Sequence, residues 1–133
     1  MEKIEYFNKE YEYIKNDKKK NDIRYLVSKL PDYFFEIPAS STGKYHPDFA
    51  STSHGLVKHT KVAVRIAKEL LDNPGLNNFT NDEKDIIIMA LILHDGCKSG
   101  MVKEKYTRFD HPLIICDLIN ENRSKLSLND GEV

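Results

Sequence analysis

A strong imbalance of charge is missing from this sequence, and so are the features that mark secreted and membrane-spanning chains. The formal net charge is −1, whereas proteins that clamp duplex DNA carry a clear positive excess, so duplex DNA is not expected as a partner. Two cysteines are too few for a disulfide framework. The charged N-terminus has no apolar stretch of the signal-peptide kind, and the longest apolar run, 86–93, is too short to cross a bilayer. These absences predict a cytoplasmic protein without membrane association.

Length and composition predict one small helical domain. The 133 residues are 40% hydrophobic and 31% charged, a balance that allows a single hydrophobic core. No segment shows the alternation of apolar and polar residues that is typical of a strand. We therefore expect an all-α fold of about five or six helices in one domain, 1–133. It would consist of N-terminal helices over 1–30, a long loop over 31–55 and a helical core over 56–133.

Helical spacing of apolar residues is evident in the first half of the chain. One helix is predicted near the N-terminus, and a second is predicted to stop before Pro31, with a polar break at 16–22 between them. A third helix is predicted over about 56–71. The stripe of this helix that should face the core is formed by Leu56, His59, Ala63, Ile66 and Leu70.

A fourth helix has a clear start signal, because Thr80 and Glu83 have the spacing of a capping box. Its apolar run is apolar all round, which predicts the buried centre of the domain, and Gly96 is predicted to be its C-cap. A fifth helix is predicted over about 111–122. The segment 127–130 resembles a further helix start, so the chain is expected to be an incomplete domain or one completed by another chain.

Three residues at the predicted helices carry the candidate chemistry: His59, His94 and Asp95. Two imidazoles and one carboxylate suit a divalent ion such as Mn, Fe, Co, Ni, Zn or Mg. Such an ion lowers the pKa of bound water toward neutrality and screens an anionic substrate. The alternative is structural: His59 would be an ordinary core histidine, while His94 would cap a carbonyl and Asp95 would end the helix in solvent.

The same residues carry a resemblance to a known family. The pair His94–Asp95, with a helix-borne histidine 35 positions earlier, resembles the signature of the HD superfamily of metal-dependent phosphohydrolases. The segments TGKYH (42–46) and HGLVKHT (54–60) are similar to the 3′–5′ exoribonuclease branch and to phage-encoded HD proteins. The similarity extends over about the central half of the chain and combines several motifs.

This resemblance implies a set of site residues in a single HD-type helical domain. The metal ligands would be His59, His94 and Asp95, with His111 able to recruit a second ion. Asp95 and Lys98 would be catalytic, and Lys98 would also contact the phosphate of the substrate. Other substrate contacts are expected from Lys44 and His46 in the loop and from His54 at its end. The alternative for the two histidines is that they lie in solvent.

The function implied is hydrolysis of a phosphomonoester or phosphodiester, on a nucleotide or a short RNA end. The partners expected are thus a phosphate-containing small molecule or short RNA, and a homo-oligomer is compatible with the sequence. HD enzymes usually complete the metal site with a later Asp, for which nothing here matches, and Cys97 separates Gly96 from Lys98. These departures keep open a degenerate, non-catalytic HD domain that binds a nucleotide or a protein partner. A purely structural helical bundle is a third alternative.

Both cysteines are predicted to be structural. Cys97 follows the HD pair closely and could act as a ligand or in redox chemistry, but a cysteine is more often a small apolar residue. Cys116 has apolar neighbours on the fifth predicted helix, so its thiol is expected in the core.

Overall fold

A computed structural model of the chain describes residues 2–37, 54–97, 111–129 and 132, except the side chains of His111 and Pro112. These residues contain α-helices and short 3-10 helices but no strand, which confirms the all-α prediction. The α-helices are α1 (Asn8–Tyr11), α2 (Asp17–Ser28), α3 (Gly55–Leu71), α4 (Asn81–Leu93) and α5 (His111–Glu121). The 3-10 helices are Lys3–Phe7, Asp32–Phe35 and Arg123–Lys125. Within the described ranges, no helix is long and apolar enough to cross a membrane.

The N-terminal segment forms a 3-10 helix that leads directly into α1. Phe7, Tyr11 and Ile14 are fully buried. The helical spacing of apolar residues in the sequence therefore identified the face of this segment that packs on the core. The buried hydroxyl of Tyr11 donates a hydrogen bond to the carbonyl of Ile4, at 2.7 Å, which satisfies it inside the apolar cluster.

The predicted polar break at 16–22 is wrong, because α2 begins at Asp17. The side chain of Asn16 accepts a hydrogen bond from the backbone of Lys19, at 3.0 Å, and caps the helix. The ammonium of Lys19 is buried and lies 3.1 Å from the carboxylate of Glu132. Charged residues are buried here because their partners come from distant parts of the chain.

Asp85 on α4 is a buried carboxylate that fixes the start of α2. It accepts hydrogen bonds from the backbone N–H groups of Lys15, at 2.9 Å, and Asn16, at 3.1 Å. Both of its oxygens are thereby used, and two N–H groups beside the start of α2 gain a partner. The contact sets the position of α2 against α4.

Replacing Asp85 with Ala should lower the free energy of unfolding by about 2–3 kcal/mol, because two backbone N–H groups lose their acceptor. The matched control is Asp72→Ala. Its carboxylate is 58% exposed at the end of α3, where it pairs with Lys68 one turn earlier, so a change within about 0.5 kcal/mol is expected. Urea denaturation of both variants measures the difference, and equal losses would show that the Asp85 contact is energetically unimportant.

The stripe predicted to bury α3 is wrong in part. Ile66 and Leu70 are 54% and 52% exposed. The buried face is instead formed by Leu56, Val57, Thr60, Val64 and Leu71. The helix carries two apolar stripes, and the packing of α4 against one of them leaves Ile66 and Leu70 in solvent.

The start of α4 is as predicted, with reciprocal hydrogen bonds between Thr80 and Glu83. The middle of the helix enters the core through Ile88, Met89, Ile92 and Leu93, as expected for the centre of the domain. Ala90, however, is exposed, and Ile86, Ile87 and Leu91 are only half-buried. One side of α4 is therefore not covered by the core.

Gly96 does not act as the predicted C-cap, because α4 ends at Leu93 with His94 in the cap position. The N–H of Gly96 donates to the carbonyl of Leu93 at 2.8 Å, without a left-handed backbone conformation. A Cβ atom at this position would lie 2.5 Å from Cδ2 of Leu30. A larger residue here would force the buried side chain of Leu30 to shift, because the turn after α4 packs directly against that leucine.

The C-terminal segment is attached to α2 through a buried carboxylate. The backbone N–H of Ser127 donates to both oxygens of Asp22 at 3.1 Å, and its hydroxyl also donates to that carboxylate. The reciprocal bonds expected of a helix start occur two residues later, between Asn129 and Glu132. Asp130, the acidic residue of the predicted cap, lies outside the described residues.

Candidate metal centre

The packing of α3 against α4 brings the three predicted metal ligands together. His59 lies on α3, whereas His94 and Asp95 directly follow α4. One nitrogen or oxygen atom from each of the three side chains lies within 4.8 Å of the others. All three residues are half-buried, so the cluster is neither fully hydrated nor sealed in the core.

The ring of His94 is oriented by the last turn of its own helix. Its Nδ1 lies 2.6 Å from the carbonyl oxygen of Leu91. A carbonyl can only accept, so Nδ1 carries the hydrogen and the neutral ring presents the lone pair of Nε2. That nitrogen is 3.2 Å from Oδ2 of Asp95. Two acceptors at this separation repel each other unless a proton or a cation lies between them.

The structural alternative for this pair holds only in part. His94 does bond to a helix carbonyl, but through one ring nitrogen, which leaves the other directed at Asp95. The Asp95 side chain is only 15% exposed and does not end the helix in open solvent. A partly desolvated carboxylate beside an imidazole is favourable when a positive charge is shared between them.

The donor types and separations fit a divalent ion. Two neighbouring ligands about 2.0–2.2 Å from one ion lie roughly 3 Å apart when they meet at a right angle. The 3.2 Å between Nε2 of His94 and Oδ2 of Asp95 is close to this value. His59 offers the third donor atom of the group, which lies within 4.8 Å of the other two.

His54 is placed at the start of α3 and is held by the 3-10 helix before it. Its backbone is left-handed, with φ of 64°. Its N–H donates to the carbonyl of Glu36 at 2.8 Å, and its ring Nδ1 donates to the carbonyl of Phe35. The residue is exposed, its ring lies 6.2 Å from that of Tyr6, and its role in substrate binding stays a prediction.

Four other predicted site residues cannot be placed around the cluster. Lys44, His46 and Lys98 lie outside the described residues. His111 begins α5, but its side chain also lies outside them. Their roles as phosphate, substrate or second-metal contacts stay predictions.

A buried carboxylate with two cations around it, which was not predicted from the sequence, holds α1 against α3, the helix that carries His59. The fully buried carboxylate of Glu10 lies 3.1 Å from Nζ of Lys61 and 3.6 Å from Nε of Arg65. Neither carboxylate oxygen makes a well-oriented hydrogen bond, so the attraction is mainly between charges. The i, i+4 spacing of the two cations on α3 was the available signal, but no sequence pattern identified Glu10 as their partner.

The two cysteines differ more than the sequence predicts. Cys97 is fully buried, and burial raises the pKa of its thiol to about 11. Cys116 is exposed on α5, so its predicted place in the core is wrong. The core-facing residues of this helix are its neighbours Ile115 and Leu118.

N-ethylmaleimide at pH 8 should therefore modify Cys116 well before Cys97. Burial of Cys97 limits both the access of the reagent and the thiolate fraction of this residue, so a difference on the order of a hundredfold or more in rate is expected. Peptide mapping by mass spectrometry at increasing times measures the two rates separately. Comparable rates in the folded protein would contradict the burial of Cys97.

A cavity of about 410 Å³ adjoins the cluster and was not foreseen from the sequence. It lies beside the side of α4 that the core leaves open, and α5 forms a second wall. The residues that line it are Leu26, Ile86, Met89, Ala90, Leu93, His94, Ile115, Cys116, Ile119, Leu128 and Glu132. The small side chains of Ala90 and Cys116, set among larger apolar ones, leave part of this space open.

No family model, curated protein or solved structure matches this chain. The likeness to HD phosphohydrolases therefore rests on the types, spacing and arrangement of the chain's own residues. Of these, the convergence of His59, His94 and Asp95 is the part that the described structure contains.

Proposed function

We propose that this protein is a metal-dependent phosphohydrolase that acts on a phosphomonoester or phosphodiester. The observation that carries the proposal is the convergence of one donor atom each from His59, His94 and Asp95 within 4.8 Å. Two imidazoles and a carboxylate form a donor set suited to Mn, Fe, Co, Ni or Zn. A nucleotide or a short RNA end is the substrate class that the HD resemblance favours.

A divalent ion held by these residues would lower the pKa of water toward neutrality and offset the negative charge of a phosphate. The chain's own contribution is to fix the ligands. The carbonyl of Leu91 holds the ring of His94 in one tautomer and orientation, with Nε2 available to the ion. Asp95 supplies the only negative charge of the group, and Lys98 is proposed to neutralise phosphate oxygens as charge develops on them.

A second candidate function is binding without catalysis. In the described part of the chain, the candidate group contains three residues and no second carboxylate. Three protein ligands are enough for a catalytic ion in other enzymes, but HD enzymes usually add a later Asp, and the lack of one in the described group favours a degenerate HD domain that binds a nucleotide or a protein partner.

The test is a metal and substrate panel. Purified protein is titrated calorimetrically with Mn²⁺, Co²⁺, Ni²⁺, Zn²⁺ and Mg²⁺, and then assayed with each ion on nucleotides, cyclic nucleotides, short RNAs and simple phosphate esters. We expect binding of at least one ion and hydrolysis that depends on it. Nucleotide binding without turnover in every ion would favour the binding-module function, and absence of metal binding would exclude the proposed centre.

A further inference from the structure

Among the described residues, His94 is the one that the cavity between α4 and α5 shares with the candidate metal centre. We propose that this cavity binds the uncharged aliphatic group of a phosphate ester whose phosphate lies at the cluster of His59, His94 and Asp95. The inference rests on the proposed function and names the part of the substrate that the protein recognises. Its basis is the size, polarity and direction of the cavity.

The size of the cavity suits a small organic group. Its volume of about 410 Å³ falls in the range of roughly 300–1,000 Å³ that is typical of small-molecule sites. Its lining extends along α4 from Ile86 to His94, a distance of about 12 Å at the rise of an α-helix. Buried side chains of the core, including Leu26, Met89 and Leu93, form part of the lining. An elongated apolar group could therefore lie along the helix.

The polarity of the cavity favours a hydrocarbon over a nucleobase, in contrast to the nucleotide or RNA end that the HD resemblance favours. Among its described lining residues, only His94, Cys116 and Glu132 carry polar side-chain atoms, none has an amide, and the imidazole of His94 is the single aromatic ring. The two nitrogens of that ring already face Leu91 and Asp95, so a base would find few partners for its polar edges, which would cost free energy on burial. An alkyl chain has no such groups and gains free energy from every part that leaves water.

The charges of the cavity fix the direction of the ligand. Glu132 lies toward the start of α4, where its carboxylate and that of Asp82 both approach the ammonium of Lys19. The pKa of Glu132 is below its usual value, because it accepts a hydrogen bond from Asn129 and lies near Lys19, so the group is an anion at neutral pH. No lysine or arginine lines the cavity among the described residues. A phosphate is therefore disfavoured inside the cavity and belongs at the opposite end, beside His94.

A series of alkyl phosphates tests this assignment. Butyl, hexyl and octyl phosphate are assayed below their micellar concentrations, with the ion that gives the highest activity. Each buried methylene should lower KM by about fourfold, until the cavity is filled. The kcat should change little, because the alkyl chain of the substrate binds equally in the ground state and the transition state. A KM that does not depend on chain length, or a lower KM for AMP than for octyl phosphate, would overturn the inference while leaving phosphohydrolase activity in place.

Variants that fill the cavity give a second test. Ala90→Trp and Cys116→Trp each enlarge an exposed residue of the lining, one on α4 and one on α5. Both should abolish the dependence of KM on chain length. The matched control is Glu69→Trp, at an exposed position on α3 that does not line the cavity, which should preserve that dependence. Retention of the full dependence in both cavity variants would place the alkyl chain elsewhere.

Protection of a thiol separates the cavity from catalysis. Octanol and octyl phosphate, added without metal, should slow the alkylation of Cys116 by N-ethylmaleimide at least fivefold, whereas methyl phosphate should not. Mass spectrometry assigns the modified residue. Cys97 is buried and should react slowly under all of these conditions. Protection without hydrolysis in any ion would support the cavity and refute the proposed function. Hydrolysis without protection would support the proposed function and refute the cavity as the binding site of the alkyl group.

Discussion

Ile88→Asp is expected to leave the protein without a stable fold. Ile88 is 1% exposed and lies in the middle of α4, among the residues through which this helix enters the core. An unpaired carboxylate at this position costs several kcal/mol, against a total stability of about 5–15 kcal/mol for a small domain. Far-ultraviolet circular dichroism should show loss of most helix, and urea should produce no cooperative transition.

The matched control is Ile66→Asp, which makes the same chemical change on α3. Because Ile66 is 54% exposed, its replacement should keep the cooperative transition and change stability by less than about 1 kcal/mol. The sequence predicts that Leu91→Asp is as damaging as Ile88→Asp. Leu91 is half-buried, however, so the new carboxylate can reach water and the loss should be intermediate. Equal unfolding by Ile88→Asp and Ile66→Asp would contradict the burial pattern of the two helices.

The helices could be predicted where the signal is local. The capping box at Thr80 and the apolar run behind it locate α4, because both depend on residues within a few positions of each other. The orientation of α3 could not be predicted in the same way. Its two apolar stripes look alike in sequence, and only packing against α4 decides that Ile66 faces solvent. Burial of Lys19 likewise depends on Glu132, more than a hundred positions away.

The candidate site shows the same limit. Residue type and the HD resemblance together identify His59, His94 and Asp95, and the structure brings these three side chains together. The bond from His94 to Leu91 spans one helical turn, so it can be predicted from the sequence. The adjoining cavity cannot be predicted in this way, because it depends on how α5 lies beside α4. Cys116 illustrates this, since its apolar neighbours predicted a core position for a residue that is exposed.

Asp95→Asn is expected to abolish metal binding and metal-dependent hydrolysis while preserving the fold. The change removes the negative charge of the cluster and keeps the bulk of the side chain. Its amide N–H₂ group can donate to Nε2 of His94 across the 3.2 Å that separates the two side chains. The metal-free variant should therefore be at least as stable as the wild type in EDTA. Loss of a charged ligand should reduce hydrolysis by more than about 100-fold, since even outer-sphere changes commonly cost 10–100-fold.

Thermal unfolding with and without Mn²⁺ separates this effect from damage to the fold. At about 100 times its dissociation constant, a bound ion adds about 2.7 kcal/mol of stability to the wild type, a rise of several degrees in Tm for a domain of this size. Asp95→Asn should show no rise, whereas Asp72→Asn should show all of it, because the exposed Asp72 at the end of α3 lies outside the cluster. A full Mn²⁺ shift in Asp95→Asn would remove Asp95 from the metal centre. A low Tm in EDTA would instead assign Asp95 a structural role, because the metal-free fold would then depend on its charge.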